Sequence, residues 1–561
     1  MGIGDPTTNH WNNWPNSAGF DVREQVQTPV FLPMTGTIPA YAAGVLYRNG
    51  LGPRDVHADK DGRRVYRVSH WFDNLSQVHR FEIHPPSATN PNVTVSHNSR
   101  LTCDKVVERI KREARRTEFT FGPDRDPCQT LFQKAQCFFR PQPKDSPSSL
   151  CIGVAFAPNL PGLDAKAKRS EKGVDSKLTT LFNLSDHDMM QSLDPRTLEP
   201  LGVAEQRVLH PALKGQLSGA HAATDPETGD FFNYNLYLGE QPHGGTYRLF
   251  VVSAKTGKTD VLAKFNHTPA YIHSMFLTEH FVVLCVWNSF FRSFGAAILW
   301  NRNLINAMQY NRSKPATWLV VDRTPARRGV VATFETPPFF CFHTINAFEE
   351  ASASSASDTV DLVADLSAYD STEILTRFYI DNLLSDSPAA EKFGADLSTR
   401  PVYRRYRLPG VSLSGPKTTG KPPKPLKGEE VFSGPKGYAP ELQTINTARA
   451  KRDYQFVYGV TDSGQSTFLD GLVKWDVRNR TYTTWSEPGQ TTSEPIFVPD
   501  PERSDKEDGG CLLSVVLDGT EGKSYLLVLD AETMKEMGRA TVDGVVGFGF
   551  HGIHVPQKML E

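Results

Sequence analysis

The chain holds 561 residues, 39% of them hydrophobic, with 33 Phe and 17 Tyr, ample material for a large core. A formal charge of −2 and a pI near 6.8 leave no basic footprint, so nucleic acid is excluded as an expected partner. No run of about 18 apolar residues is present, the polar start (MGIGDPTTNHWNNWPNS) lacks an apolar signal core, and seven cysteines without a C-x-x-C pair suit a reducing compartment. A cytoplasmic protein is expected, with contact at a membrane or lipid-body surface left open.

In chain order, residues 1–30 read as an arm that orders against a body. Residues 30–48 carry Pro and Gly between short apolar runs, which predicts short strands and turns. Residues 66–82 (YRVSHWFDNLSQVHRFE) predict a hairpin turning at Asp73-Asn74. Residues 103–118 predict a helix capped by Asp104, with Val107, Ile110, Lys111 and Ala114 at helical spacing and a solvated Lys/Arg/Glu face. A second helix is expected over 127–138 and an exposed loop over 162–177.

From about 178 the texture is all-β. MQSLDPRTLEPLGV (190–203), LFVVSAKTGKTDVLA (249–263), LVKWDVRNRTYTTW (472–485) and LLVLDAETMKEMGRA (526–540) each place a turn between two short strands. Repeated hairpins without intervening helices predict a propeller, whose blades need their neighbours to bury both faces; an array of β-sandwiches is the alternative. Residues 351–358 and the Pro/Lys-rich 412–428 read as surface loops. With the arm 1–30 and a helical cap insertion at about 103–140, the expectation is one propeller domain over 1–561. Residues 281–300 (FVVLCVWNSFFRSFGAAILW) are apolar almost throughout. Their first half reads as a buried strand, and Phe290, Phe291 and Phe294 then serve either the core or an apolar lip for a greasy substrate or a membrane.

Sixteen histidines are present, many in polar company. Four lie at strand ends beside small or aromatic residues: His221 (SGAHAATDPETGD), His273 (PAYIHSMFLTEHFVVL), His343 (FFCFHTINAF) and His551 (GFGFHGIHVP). A buried imidazole such as His343 needs a partner, and a backbone carbonyl or a metal would both serve. The four are separated by 52, 70 and 208 residues, so only a closed architecture brings them together. Several imidazoles without cysteine suit iron, copper, nickel or zinc.

Nine segments in order carry a resemblance: GVLYRNGLG (44–52), HWFDNLSQVHRF (70–81), LDPRTLEPLG (193–202), SGAHAATDPETGD (218–230), YIHSMFLTEHFVVL (271–284), FHTINAFEE (342–350), ELQTINTARAKRDYQFVYGV (441–460), SEPIFVPDPERSDKEDGGCLLSVVLD (493–518) and FHGIHVP (550–556). On these the chain resembles the carotenoid cleavage oxygenase family, in its fungal branch. The resemblance implies an all-β, seven-bladed propeller with a helical and loop cap over an axial Fe(2+) ion held by His221, His273, His343 and His551. His554 is the rival at the C-terminus, but the family motif places the ligand before the Gly, and residues three apart on a strand face opposite ways. Behind the ligands the family uses glutamates, matched by Glu441 and Glu494. Asp186 stands where the third would be, and its shorter side chain leaves that contact direct, water-bridged or absent. Such carboxylates offset the metal charge and fix each ring's tautomer.

The implied reaction inserts both atoms of O2 across a C=C bond of a conjugated chain, giving two carbonyl products, with no catalytic side chain beyond the iron and its ligands. Stilbene cleavers of the family carry a Lys before the first of these glutamates. Ser185 stands there, and residues 121–134 resemble the carotenoid-cleaving fungal enzymes. A carotenoid or apocarotenoid is therefore expected; cleavage of a stilbene or isoeugenol-type phenylpropenoid to an aromatic aldehyde is the alternative. A propeller that only binds an apolar ligand and an isomerase, as in one animal branch, are further readings. The expected partners are an apolar small molecule and O2, and the expected state is a monomer.

Overall fold

The computed structural model describes residues 10–58, 64–116, 118–122, 146–163, 177–241, 244–352, 358–417 and 421–561. The helix expected over 127–138, most of 121–134, most of the loop at 162–177 and most of 351–358 lie outside the described residues.

Alternating and continuous apolar runs pair into seven sheets of four to six strands, antiparallel except where Leu426–Lys427 runs parallel to Val330–Thr336, and the sheets close as a seven-bladed propeller. The innermost strand of each blade, in ring order, is Gly552–Pro556 (blade I), Ala155–Pro158 (II), Ala223–Thr224 (III), Phe276–Leu277 (IV), Phe340–Ala351 (V), Glu441–Thr444 (VI) and Ile496–Pro499 (VII). From blade IV round to blade II, successive innermost strands touch one another. A bridge between His221 and Ser274 joins blades III and IV. The ring is locked twice. The C-terminal strand Gly552–Pro556 pairs with Gly44–Leu51 inside blade I, and the N-terminal strand Met34–Gly36 pairs with Glu536–Thr541 at the rim of blade VII.

The four expected hairpins form, at Met189–Leu193 with Pro200–Glu205, Gly244–Val252 with Thr259–His267, Gly471–Asp476 with Thr481–Trp485, and Lys523–Asp530 with Glu536–Thr541. The hairpin expected over 66–82 does not. Ser76–His84 pairs with Gly44–Leu51 and Thr94–Leu101, while Val65–Arg67 pairs with Asp55–His57. Between them Trp71–Asp73 is a short turn of 3-10 helix whose rings leave the sheet to pack beneath the cap: Trp71 lies 5.2 Å from Phe378 and Phe72 lies 4.8 Å from Phe121. The expected helix spans Asp104–Glu113, with Val106, Val107 and Ile110 buried. Lys111 is exposed, and Asp104 occupies the first helical position, with Cys103 at the cap.

The cap includes a part the sequence did not signal. Between blade V strands Thr359–Tyr369 and Val402–Ser412, three short helices, Glu373–Arg377, Ile380–Leu383 and Ala390–Ala395, fold over the ring. They are held by the Arg377 and Arg400 guanidinium groups, both bonded to the buried Asp462. Phe378, between the first two helices, meets Phe72 and Phe342.

Candidate metal centre

His343 lies in the strand Phe340–Ala351, where the register against Thr359–Tyr369 shifts between Cys341 and Thr344. A bulge of this kind re-aims a side chain out of strict alternation. The Ser274 hydroxyl pins the bulge, donating to the Phe342 carbonyl at 2.7 Å and accepting the Thr344 N–H at 3.0 Å. His273 and His551 each come just before an innermost strand, and the His221 N–H donates to the His273 carbonyl at 3.0 Å.

All four sequence-predicted histidines converge. One nitrogen from each lies within 4.8 Å of the others. The Nε2 atoms of His221 and His551 are 2.7 Å apart, and those of His343 and His551 3.2 Å apart. His554 is elsewhere, its Nε2 bonded to the Ala42 carbonyl at 3.1 Å. Burial is the largest cause holding His221, His343 and His551 below the ordinary imidazole range, so the rings are neutral donors.

Behind three of the rings stands a carboxylate from a distant part of the chain. The His273 Nδ1 meets Asp186 at 2.8 and 3.0 Å, the His551 Nδ1 meets Glu494 Oε1 at 2.7 Å, and the His343 Nδ1 bonds Glu441. The Asp186 contact is therefore direct despite the missing methylene. Its carboxylate also accepts from the Tyr271 hydroxyl at 2.8 Å and the Ala220 N–H at 3.2 Å. Glu494 takes a buried ion pair from Arg48 at 2.8 Å and the Gly552 N–H at 2.6 Å. Tyr271, Ser274 and Arg48 were not singled out from the sequence. Tyr271 alone left a signal, a phenol two residues before His273.

The donor set fits a metal. A Nδ1 proton given to a carboxylate leaves a bare lone pair on Nε2, as at His273, His343 and His551. Lone pairs brought this close repel unless a cation lies among them. Neutral imidazoles without thiolate suit a first-row divalent metal. His70 shows the contrasting arrangement: equally buried, it has both nitrogens satisfied by backbone, Nε2 by the Leu375 carbonyl at 2.8 Å and Nδ1 by the Phe72 N–H at 3.2 Å.

Above the centre opens a cavity of about 750 Å³ that His273, His343 and His551 line together with aromatic rings, among them Trp71, Phe72, Phe342 and Phe550. Of the three phenylalanines predicted for substrate access, Phe290 and Phe291 are core residues, 3% and 2% exposed, paired with Met308–Gln309. They offer no lip. Phe294 is 42% exposed and lies on the cavity wall. It is joined by Phe119, 43% exposed and also lining the cavity, and by the 79% exposed Trp300 on the short helix Ala296–Asn301. The difference is one of backbone: Ser293 and Phe294 both take positive φ, which turns the chain outward after the buried pair.

Residues 19–556 match the family model described as Retinal pigment epithelial membrane protein (RPE65). The chain is 40% identical to a carotenoid dioxygenase of Neurospora crassa over 98% of its own length and 92% of that protein's. It is 38% identical to a torulene dioxygenase of Fusarium fujikuroi, covering 97% and 94%. Among solved structures, a Glu150Gln mutant of the Synechocystis apocarotenoid oxygenase superposes with a TM-score of 0.70 at 18% identity, covering 96% of this chain and 98% of that one. The propeller, the match over nearly the whole chain and these relatives agree: the chain belongs to the RPE65/carotenoid oxygenase family.

Proposed function

We propose that this protein is an Fe(2+)-dependent dioxygenase that cleaves a C=C bond of a carotenoid or apocarotenoid with O2, giving two carbonyl products. The observation that carries it is four converging imidazoles, three backed by carboxylates, at the base of a large aromatic cavity. His221, His273, His343 and His551 hold the iron; Asp186, Glu441 and Glu494 fix three of the ring tautomers and offset its charge. When bound, the iron supplies the site at which O2 is activated for reaction with the olefin. The aromatic wall orients an extended polyene and keeps water from the reacting bond. The relatives named for carotenoid and torulene substrates support a polyene over a phenolic olefin. So does the wall itself. Ser185 lines it where a lysine would grip a phenol, and Arg116, the one Arg or Lys among the described lining residues, is already bonded to the Asp73 carbonyl.

Among the described residues no helix is long and apolar enough to cross a membrane. A polyene dissolved in lipid must still reach the cavity, and the Phe119 and Phe294 rings on its wall, with Trp300 exposed on the helix that follows Phe294, serve as a lip that contacts a lipid surface. Iron-loaded protein incubated with carotenoids, apocarotenals, stilbenes and isoeugenol is expected to consume O2 and release aldehydes, identified by mass, from polyenes alone. His343→Ala is expected to lose bound iron and turnover together. Aldehydes from the phenols alone, or full turnover by an iron-free His343→Ala protein, would overturn the reading.

A further inference from the structure

Two polar groups on the cavity wall are used by nothing described so far. His187 follows Asp186 and lines the cavity. Its Nδ1 accepts the Met189 N–H at 3.2 Å, which places the ring proton on Nε2. No hydrogen bond to that Nε2 forms among the described residues. Burial lowers the ring to about 4, so it is neutral and presents a single N–H. Tyr237 lines the same cavity, and its hydroxyl likewise finds no hydrogen-bond partner among the described residues.

The two stand on neighbouring segments of one wall, because His187 bridges to Leu217 and Leu217 bridges to Leu236. Leu217 and Leu238 supply apolar surface around them. A donor on such a wall has only water for a partner until a ligand brings an acceptor, and a few placed polar groups in an apolar pocket are what fix a ligand's orientation. The charge nearby limits which acceptor fits. Asp186 and Asp188 flank His187 in the chain and line the same cavity, so a carboxylate end would meet two acidic side chains. An uncharged oxygen meets only the donors.

Building on the carotenoid reading above, we infer that His187 and Tyr237 bind an uncharged terminal oxygen of the polyene, a carbonyl or hydroxyl, so that the site prefers an apocarotenal to the hydrocarbon of equal length. An end held at a fixed place on the wall also decides which double bond lies beside the histidines.

The test is a binding titration by quenching of tryptophan fluorescence, on protein without added metal, in matched detergent micelles. The probes are an apocarotenal, the corresponding acid and a hydrocarbon polyene of the same length. The aldehyde is expected to bind roughly tenfold more tightly than the hydrocarbon, which covers the two donors without replacing their hydrogen bonds, and more tightly than the acid. His187→Phe and Tyr237→Phe should each cut the preference to about threefold, and the double variant should erase it. His187→Gln, which keeps an N–H, should retain it. The readout is a ratio, so a variant that merely loosens the fold weakens both ligands and leaves the ratio alone. Equal affinities for aldehyde and hydrocarbon in the unmodified protein, or a preference that survives the double variant, would overturn the inference. If none of the three polyenes binds, the carotenoid reading falls and this inference with it.

Discussion

At Asp186 a side chain one methylene shorter than glutamate still reaches the His273 ring, because Tyr271 and the Ala220 N–H hold the carboxylate in place. Second-sphere partners of this kind typically govern metal affinity by 10–100-fold. Asp186→Ala is therefore expected to weaken iron binding by roughly that factor while the fold persists, read as metal retained after dialysis against a graded chelator series. A different pair of histidines sets a pH limit. His79 and His97 stack in blade I with Nδ1 and Nε2 3.2 Å apart, and the outer nitrogens, His79 Nε2 and His97 Nδ1, have no hydrogen-bond partner among the described residues. Burial holds His97 at about 4 and His79 well below 6.5, with the neighbouring ring and Arg48 adding to the effect on His79. The unfolded chain takes up these protons near 6.5 and the folded chain does not. Stability from the pair is thus complete above about pH 6.5 and is lost as pH falls towards about 4, by about 3 kcal/mol for His97 alone. Denaturant midpoints measured across that range should fall with pH, and His97→Phe should flatten the slope.

The segment over 281–300 is one apolar run in the sequence and two different things in the fold. Phe281–Val286 and Phe290–Phe291 are buried, and after the turn Arg292–Gly295 the helix Ala296–Asn301 puts Trp300 on the surface. Two substitutions should separate these roles. Phe294→Ser combined with Trp300→Ser is expected to lower vesicle association in a flotation assay with little change in melting temperature. Phe290→Ala is expected to destabilise by about 3 kcal/mol or more, the usual cost of a buried ring removed. Hydropathy marked the run but not its exposed part, since the switch depends on two positive-φ residues that no periodicity encodes. The hairpin expected over 66–82 was misread for a related reason. His70, Trp71 and Phe72 look like a strand because they are aromatic, but their rings are spent on the cap and cavity.

Closure of the ring depends on both ends of the chain. Met34–Gly36 covers the rim strand Glu536–Thr541 of blade VII, and Gly552–Pro556 supplies the axial strand of blade I. Removing residues up to 38 should expose that rim strand as an unpaired edge. A lower melting temperature and concentration-dependent aggregation are expected by calorimetry and light scattering, with iron still bound because no ligand is lost.

The sequence by itself determined the all-β texture, the four hairpins after residue 178 and, through nine motifs, the family and the four histidines. Those are local properties, carried by alternation within one strand pair and by short stretches around each residue. Only the tertiary structure decided which carboxylate backs which ring, that Asp186 reaches His273, that residues 373–395 cap the cavity and that His187 and Tyr237 share its wall. Alternation reports which face of its own sheet a side chain takes. It carries no information about the neighbouring blade, and in a closed ring the site is built from side chains that several blades send to the axis.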